Sequence, residues 1–175
     1  MGAIKEYKVD IVERTREILI NFYDKFEEDE REVTFLMNCL LGLIIAISES
    51  ENQNRNLLRG NIDENFIENI PDTIGFVQSI RLKEDLTNQD LTNIKVNVGH
   101  KNDLLGKDKS WLMSKIRNCI AHQNIKGINR EGKWVGVRLW NNNNSRKDFE
   151  IVFTIDELKS FAIDLAEKFI VKNKQ

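Results

Sequence analysis

Hydrophobic residues recur at helical spacing over most of the chain. Residues 3–26 carry Ile4, Tyr7, Ile11, Ile18, Phe22 and Phe26 among Glu, Lys and Arg, which predicts an amphipathic helix. A charged run follows, Glu27-Glu28-Asp29-Glu30-Arg31-Glu32, and acidic residues there suit the positive end of a helix dipole. Residues 33–48 are apolar nearly all round, which predicts the most buried helix of the fold. Residues 49–64 are polar and rich in Asn and read as a loop. A short helix around 63–69 stops at Pro71, and another helix is expected over 72–84. Residues 86–109 hold Gly99, Gly106 and many Asn and Asp, and predict a long irregular segment.

Residues 109–122 return to a helical pattern, with Leu112, Ile116, Cys119 and Ile120 on the apolar side and Asp108 as N-cap. The period then shortens to two. Trp134-Val135-Gly136-Val137-Arg138-Leu139-Trp140 alternates, as do Phe149, Ile151 and Phe153. Turn residues at 129–132 and 141–144 separate these runs, so a small antiparallel hairpin or three-stranded meander is expected over about 125–153. Thr154-Ile155-Asp156-Glu157 is a capping box, opening a last helix with Leu158, Phe161, Leu165, Phe169 and Ile170 inward. The expected fold class is mainly α: one domain over 1–175, a helical bundle with the β insertion before its last helix.

Composition narrows the chemistry. At 175 residues, with 41% hydrophobic and 31% charged, the chain reads as a soluble globular domain with a core of useful size. The N-terminus lacks the apolar stretch of a signal peptide. The longest apolar run, 35–47, is shorter than the ~20 residues a bilayer needs, so a buried helix and no membrane association are expected. Cys39 and Cys119 sit in apolar segments and read as reduced core thiols, which places the chain in the cytoplasm. Two histidines, His100 and His122, with no Cys-x-x-Cys, make no zinc ligand set, and no Gly-rich phosphate loop is present. No metal and no cofactor is expected.

Charge is segregated. Residues 1–100 carry net −8, residues 101–147 net +8 and residues 148–175 net −2. The basic block attracts polyanions, or packs against the acidic half of its own fold.

That block contains Lys115-Ile116-Arg117-Asn118-Cys119-Ile120-Ala121-His122. On a helix Asn118 and His122 share a face, and Arg117 flanks it. Histidine exchanges protons near neutral pH, and the dipole at a helix C-terminus favours its cation. Arginine forks onto phosphate oxygens. A proton-transfer group beside a fixed cation suits RNA cleavage by the 2′-hydroxyl. A histidine at a helix end and an arginine in a surface ion pair is the plainer reading of the same residues.

Arg117-Asn118-Cys119-Ile120-Ala121-His122 resembles the signature of HEPN domains: Arg, a polar residue, and His a few positions on. The apolar stretch Phe35 to Leu43 is similar to a bacterial, defence-associated branch, as is the motif helix running into a hairpin and a last amphipathic helix. The resemblance covers about 33–171 and leaves 86–109 unexplained. It implies an up-and-down helical bundle and a homodimer whose motif helices line one composite cleft. It also implies a metal-independent endoribonuclease that leaves a 2′,3′-cyclic phosphate, acting as a toxin or antiviral effector. Carried over, Arg117 steadies the scissile phosphate, His122 is general acid or base, and Asn118 orients either. A cognate antitoxin or defence partner is left open. Some members are silent, so a dimeric module binding RNA, a nucleotide or a partner protein stays as the alternative.

Candidate RNA contacts are Lys109, Lys115, Lys126, Lys133 and Arg138, with Arg146 and Lys147. Trp134 and Trp140 share a face with Arg138 in a regular strand, where they stack on bases or pack the hairpin onto the bundle. His100 is a second base reaching in from the loop, or simply solvated.

Overall fold

The computed structural model describes residues 7–27, 29, 31–49, 57–72, 74–76, 101–143 and 146–174. Helix α1 spans Tyr7–Asn21 and runs through a 3-10 turn, Tyr23–Lys25, towards α2, Glu32–Glu49. A one-turn helix α3, Glu64–Ile67, precedes strand β1, Ile74–Phe76. A 3-10 turn, Lys101–Leu104, leads into α4, Lys109–Ala121. Strands β2, Ile125–Arg130, β3, Lys133–Asn143, and β4, Arg146–Thr154, follow, and α5, Ile155–Lys174, closes the chain.

The four strands form one antiparallel sheet in the order β1-β4-β3-β2. The expected meander is present, and β1 extends it. This corrects the start of the helix expected over 72–84: Ile74 pairs with Ile151 and is fully buried, so an open sheet edge wins over a helical pattern. The rest of that segment lies outside the described residues, as do residues 3–6 and most of the 86–109 segment. Within the latter, Leu104 is buried and residues 101–104 form a turn of helix rather than loop.

One face of the sheet carries Ile74, Val137, Leu139, Phe149, Ile151 and Phe153, each at 0% exposure. They join α2, α4 and α5 in a single hydrophobic core. The α2 helix packs on α1, α4 and α5, with Leu36, Leu40, Leu43, Ile44 and Ile47 sealed. It is long and apolar enough to cross a membrane by composition alone, and here 44% of it is buried inside the fold.

The α1 stripe is turned by one position from expectation. Val12, Leu19 and Tyr23 are buried, whereas Ile18 and Phe22 are exposed. Two adjacent stripes share the helical period, and partners choose between them. The Tyr23 hydroxyl donates to the buried Glu32 carboxylate and Lys159 sits on its ring, while Phe26 stacks on Phe35. Burial pushes the Cys39 thiol up to about 11 and Cys119 to about 12, which suits inert core thiols.

The hairpin between β2 and β3 turns at Glu131 and Gly132, both at positive φ, as a two-residue reverse turn requires. The capping box at α5 forms in full: Glu157 N–H donates to Thr154 Oγ1 at 3.1 Å, and Thr154 N–H to Glu157 Oε2 at 2.8 Å. Thr154→Ala removes one of these bonds. Its urea midpoint should fall by the equivalent of about 1 kcal/mol with an unchanged m-value.

Candidate active site

Helix α4 is capped at both ends by its own sequence. The Asp108 carboxylate accepts from the N–H groups of Ser110 and Trp111, and the Ser110 bond holds its carboxyl below the usual range. At the other end His122 is the capping residue, with φ −92° and ψ 7°. Gln123 follows at φ +56° and donates its N–H to the Ile120 carbonyl, while Asn124 donates to the Cys119 carbonyl. These two bonds are a Schellman closure, with glutamine at the left-handed position where glycine is usual. The turn delivers the chain into β2, and Trp140 N–H on β3 donates to the Asn124 carbonyl at 3.1 Å.

The three motif residues stand on this end of the helix. Arg117 is exposed, and its Nη2 and Nε donate to Asn118 Oδ1 at 2.8 and 3.3 Å. The Asn118 backbone carbonyl accepts the His122 N–H at 3.0 Å. The Asn118 side chain therefore holds the guanidinium, while its carbonyl closes the last ordinary helical bond to His122. His122 is exposed, at the carbonyl end of the helix dipole. One wall is anchored: Lys115 pairs with Asp148 of β4, whose other oxygen accepts from Asn141 Nδ2 at 2.6 Å.

The basic block divides in two. Lys109 pairs with Asp63 at 2.9 Å and lies over the Phe66 ring, and that bond holds the Asp63 carboxyl low. Lys115 is committed to Asp148. Arg138, expected as an RNA contact, is 5% exposed with Nε 3.2 Å from Glu150 Oε1. That expectation is corrected: Arg138 neutralises a carboxylate that is itself fully buried. Lys147 pairs with the same carboxylate at 2.7 Å and lies over Trp140. Lys126 and Lys133 are exposed. The side chain of Arg146 and all of His100 lie outside the described residues.

Trp134 and Trp140 do not share a face. The β2–β3 register shifts between Ile128 and Asn129, so one extra residue of β3 reverses the alternation. The Trp134 indole occupies the space where a side chain at Gly127 would stand: a Cβ there would meet the ring at 1.6 Å. Gly127 opposes Val137 of the core face, so Trp134 lies on that side, while Arg138 and Trp140 lie on the other.

The sequence model of the HEPN pEK499 p136 family matches residues 1–175, the whole chain. The chain belongs to the HEPN family. No curated protein and no solved structure matches it significantly. HEPN domains are often ribonucleases, and some bind nucleotides. The polar network around Arg117, Asn118 and His122 is not visible in the sequence. Asp148 and Glu150 read there only as charges on an alternating strand. Among the described residues, no group of three or more His, Cys, Asp or Glu converges to hold a metal ion.

Arg138→Ala removes one of the cations that neutralise the fully buried Glu150. Chemical denaturation should show a loss of about 3 kcal/mol, whereas Lys126→Ala should stay within about 0.5 kcal/mol of wild type.

Proposed function

We propose that the protein is a metal-independent endoribonuclease, a cytoplasmic toxin or antiviral-defence effector built as a homodimer. The observation that carries this reading is an exposed Arg117, held by Asn118, five residues before an exposed His122 that caps the same helix. The ribose 2′-oxygen attacks the adjacent phosphorus while a base removes its proton. The bond from phosphorus to the 5′-oxygen breaks, an acid protonates that oxygen, and a 2′,3′-cyclic phosphate remains. His122 is one proton-transfer group, and the His122 of a second protomer supplies the other. Arg117 neutralises charge on the pentacoordinate phosphate. Asn118 is a positioning residue, since it holds the guanidinium fork.

The dimer supports this chemistry because one exposed helix end offers only one proton carrier. Ser114, Arg117 and Ala121 form an exposed stripe of α4, small on either side of the arginine, which admits close approach of a second helix. A silent module that binds RNA, a nucleotide or a partner protein is the second reading. It is favoured by the internal pairing of Lys109, Lys115 and Arg138, which leaves a small phosphate footprint.

Purified wild type and His122→Ala, incubated with total bacterial RNA in excess EDTA, separate the two. The ribonuclease reading predicts new RNA ends with wild type and a rate lower by about 10²–10⁴ in the variant. Equal RNA binding with no cleavage by either protein supports the silent module. Light scattering at micromolar concentration should give twice the 20.4 kDa chain mass; a monomer contradicts the composite site.

A further inference from the structure

A cavity of about 410 Å³ opens at the end of the hairpin remote from the motif. Strand β2 separates the two by about 17 Å over its length. The cavity lies where the β2–β3 turn meets the α1–α2 connection and the first turn of α5. Its walls include Tyr23, Glu27, Glu32, Lys133, Trp134 and Asp156.

Three features of this space need a common explanation. Glu32 is only 4% exposed, and the bond it receives comes from the Tyr23 hydroxyl. Burial and the Glu32 carboxylate push the Tyr23 phenol far above its usual range, so it remains a neutral donor. Among the described residues no cation pairs with Glu32, and Lys159, the nearest ammonium to Tyr23, sits on the phenol ring instead. A buried carboxylate without a counter-charge is costly. Secondly, Glu27 and Asp156 add two more carboxylates to the walls, against one ammonium from Lys133. Thirdly, Trp134 is 39% exposed, seated against the bare backbone at Gly127. An indole backed by backbone and facing a cavity is a rigid platform for a planar cation.

We propose that this cavity is a binding site for a guanidinium group, which pairs with Glu32 and stacks on Trp134. A guanidinium is favoured over an ammonium because it is planar, more weakly hydrated, and presents a fork of donors to a carboxylate. The group is carried either by a free alkylguanidine or by an arginine side chain of a partner polypeptide. The inference does not rest on the ribonuclease reading, since the motif contributes no atom to the cavity.

Two-dimensional NMR of the full chain follows the indole N–H signals of its three tryptophans. Agmatine and N-acetylargininamide are titrated separately. The expected result is a saturable shift of the Trp134 signal, with a dissociation constant at or below about 1 mM, while Trp111 and Trp140 stay in place. Agmatine alone acting assigns a free alkylguanidine; N-acetylargininamide acting as well assigns an arginine side chain. Glu32→Gln should weaken agmatine at least about tenfold. Glu32 is buried, so a thermal melt first checks that variant; Trp134→Ala, at an exposed position, decides by calorimetry where it does not fold, with an expected loss of about threefold or more. No saturable shift with either compound overturns the site, as does unchanged affinity in a folded variant.

Discussion

Helix α4 ends without a glycine, and the manner of its ending decides where His122 stands. The carbonyls of Asn118, Cys119 and Ile120 are all engaged by N–H groups from residues 122–124, which fixes the reversal of the chain. Gln123 adopts a left-handed conformation, which costs a non-glycine residue about 1 kcal/mol. The chain then enters β2 directly, and the Asn124–Trp140 bond ties the exit to the sheet. His122 thus leaves the helical conformation at an exposed position, while Arg117, about 7.5 Å back along the axis, stays within the helix. The Asn118 side chain holds the Arg117 guanidinium, and its carbonyl accepts the helical bond from His122 N–H.

The sheet beneath is built to carry charge inside. Glu150 is fully buried between Arg138 and Lys147, and Asp148 is shared by Lys115 and Asn141. Pairs of this kind add little net stability against apolar packing, but losing one partner is severe. Their effect is orientation: Lys115 lies on α4 two residues before Arg117, so Asp148 fixes the rotation of the motif helix against β4. The positive block around residue 117 is therefore partly structural, and its exposed members include Arg117, Lys126 and Arg130.

Much of this was legible in the sequence. The long helices, the meander, the capping box at Thr154 and the Asp108 cap all follow from local pattern, because each depends on residues within a few positions. That Arg117, Asn118 and His122 stand on the last turn of one helix was legible for the same reason. What failed depended on partners distant in the chain. Ile74–Phe76 joined β4 because an edge was open there, which no local pattern records. The α1 stripe was misread because Ile18 and Leu19 both fit the helical period, and only Glu32 and Lys159 favour Tyr23 inside. One extra residue at the β3 bulge reversed the face of Trp134. Arg138 read as an outward cation because the depth of Glu150 is a property of the assembled sheet.

In the proposed reaction a helix-end arginine and histidine cleave RNA through its own 2′-hydroxyl. The chemical identity of the cut ends reports which oxygen was the nucleophile. Fragments released by the wild-type protein in excess EDTA should carry a 2′,3′-cyclic phosphate on one side of the cut and a 5′-hydroxyl on the other. Fragments ending in a 3′-hydroxyl and a 5′-phosphate would contradict the account, because water and not the ribose would then be the nucleophile.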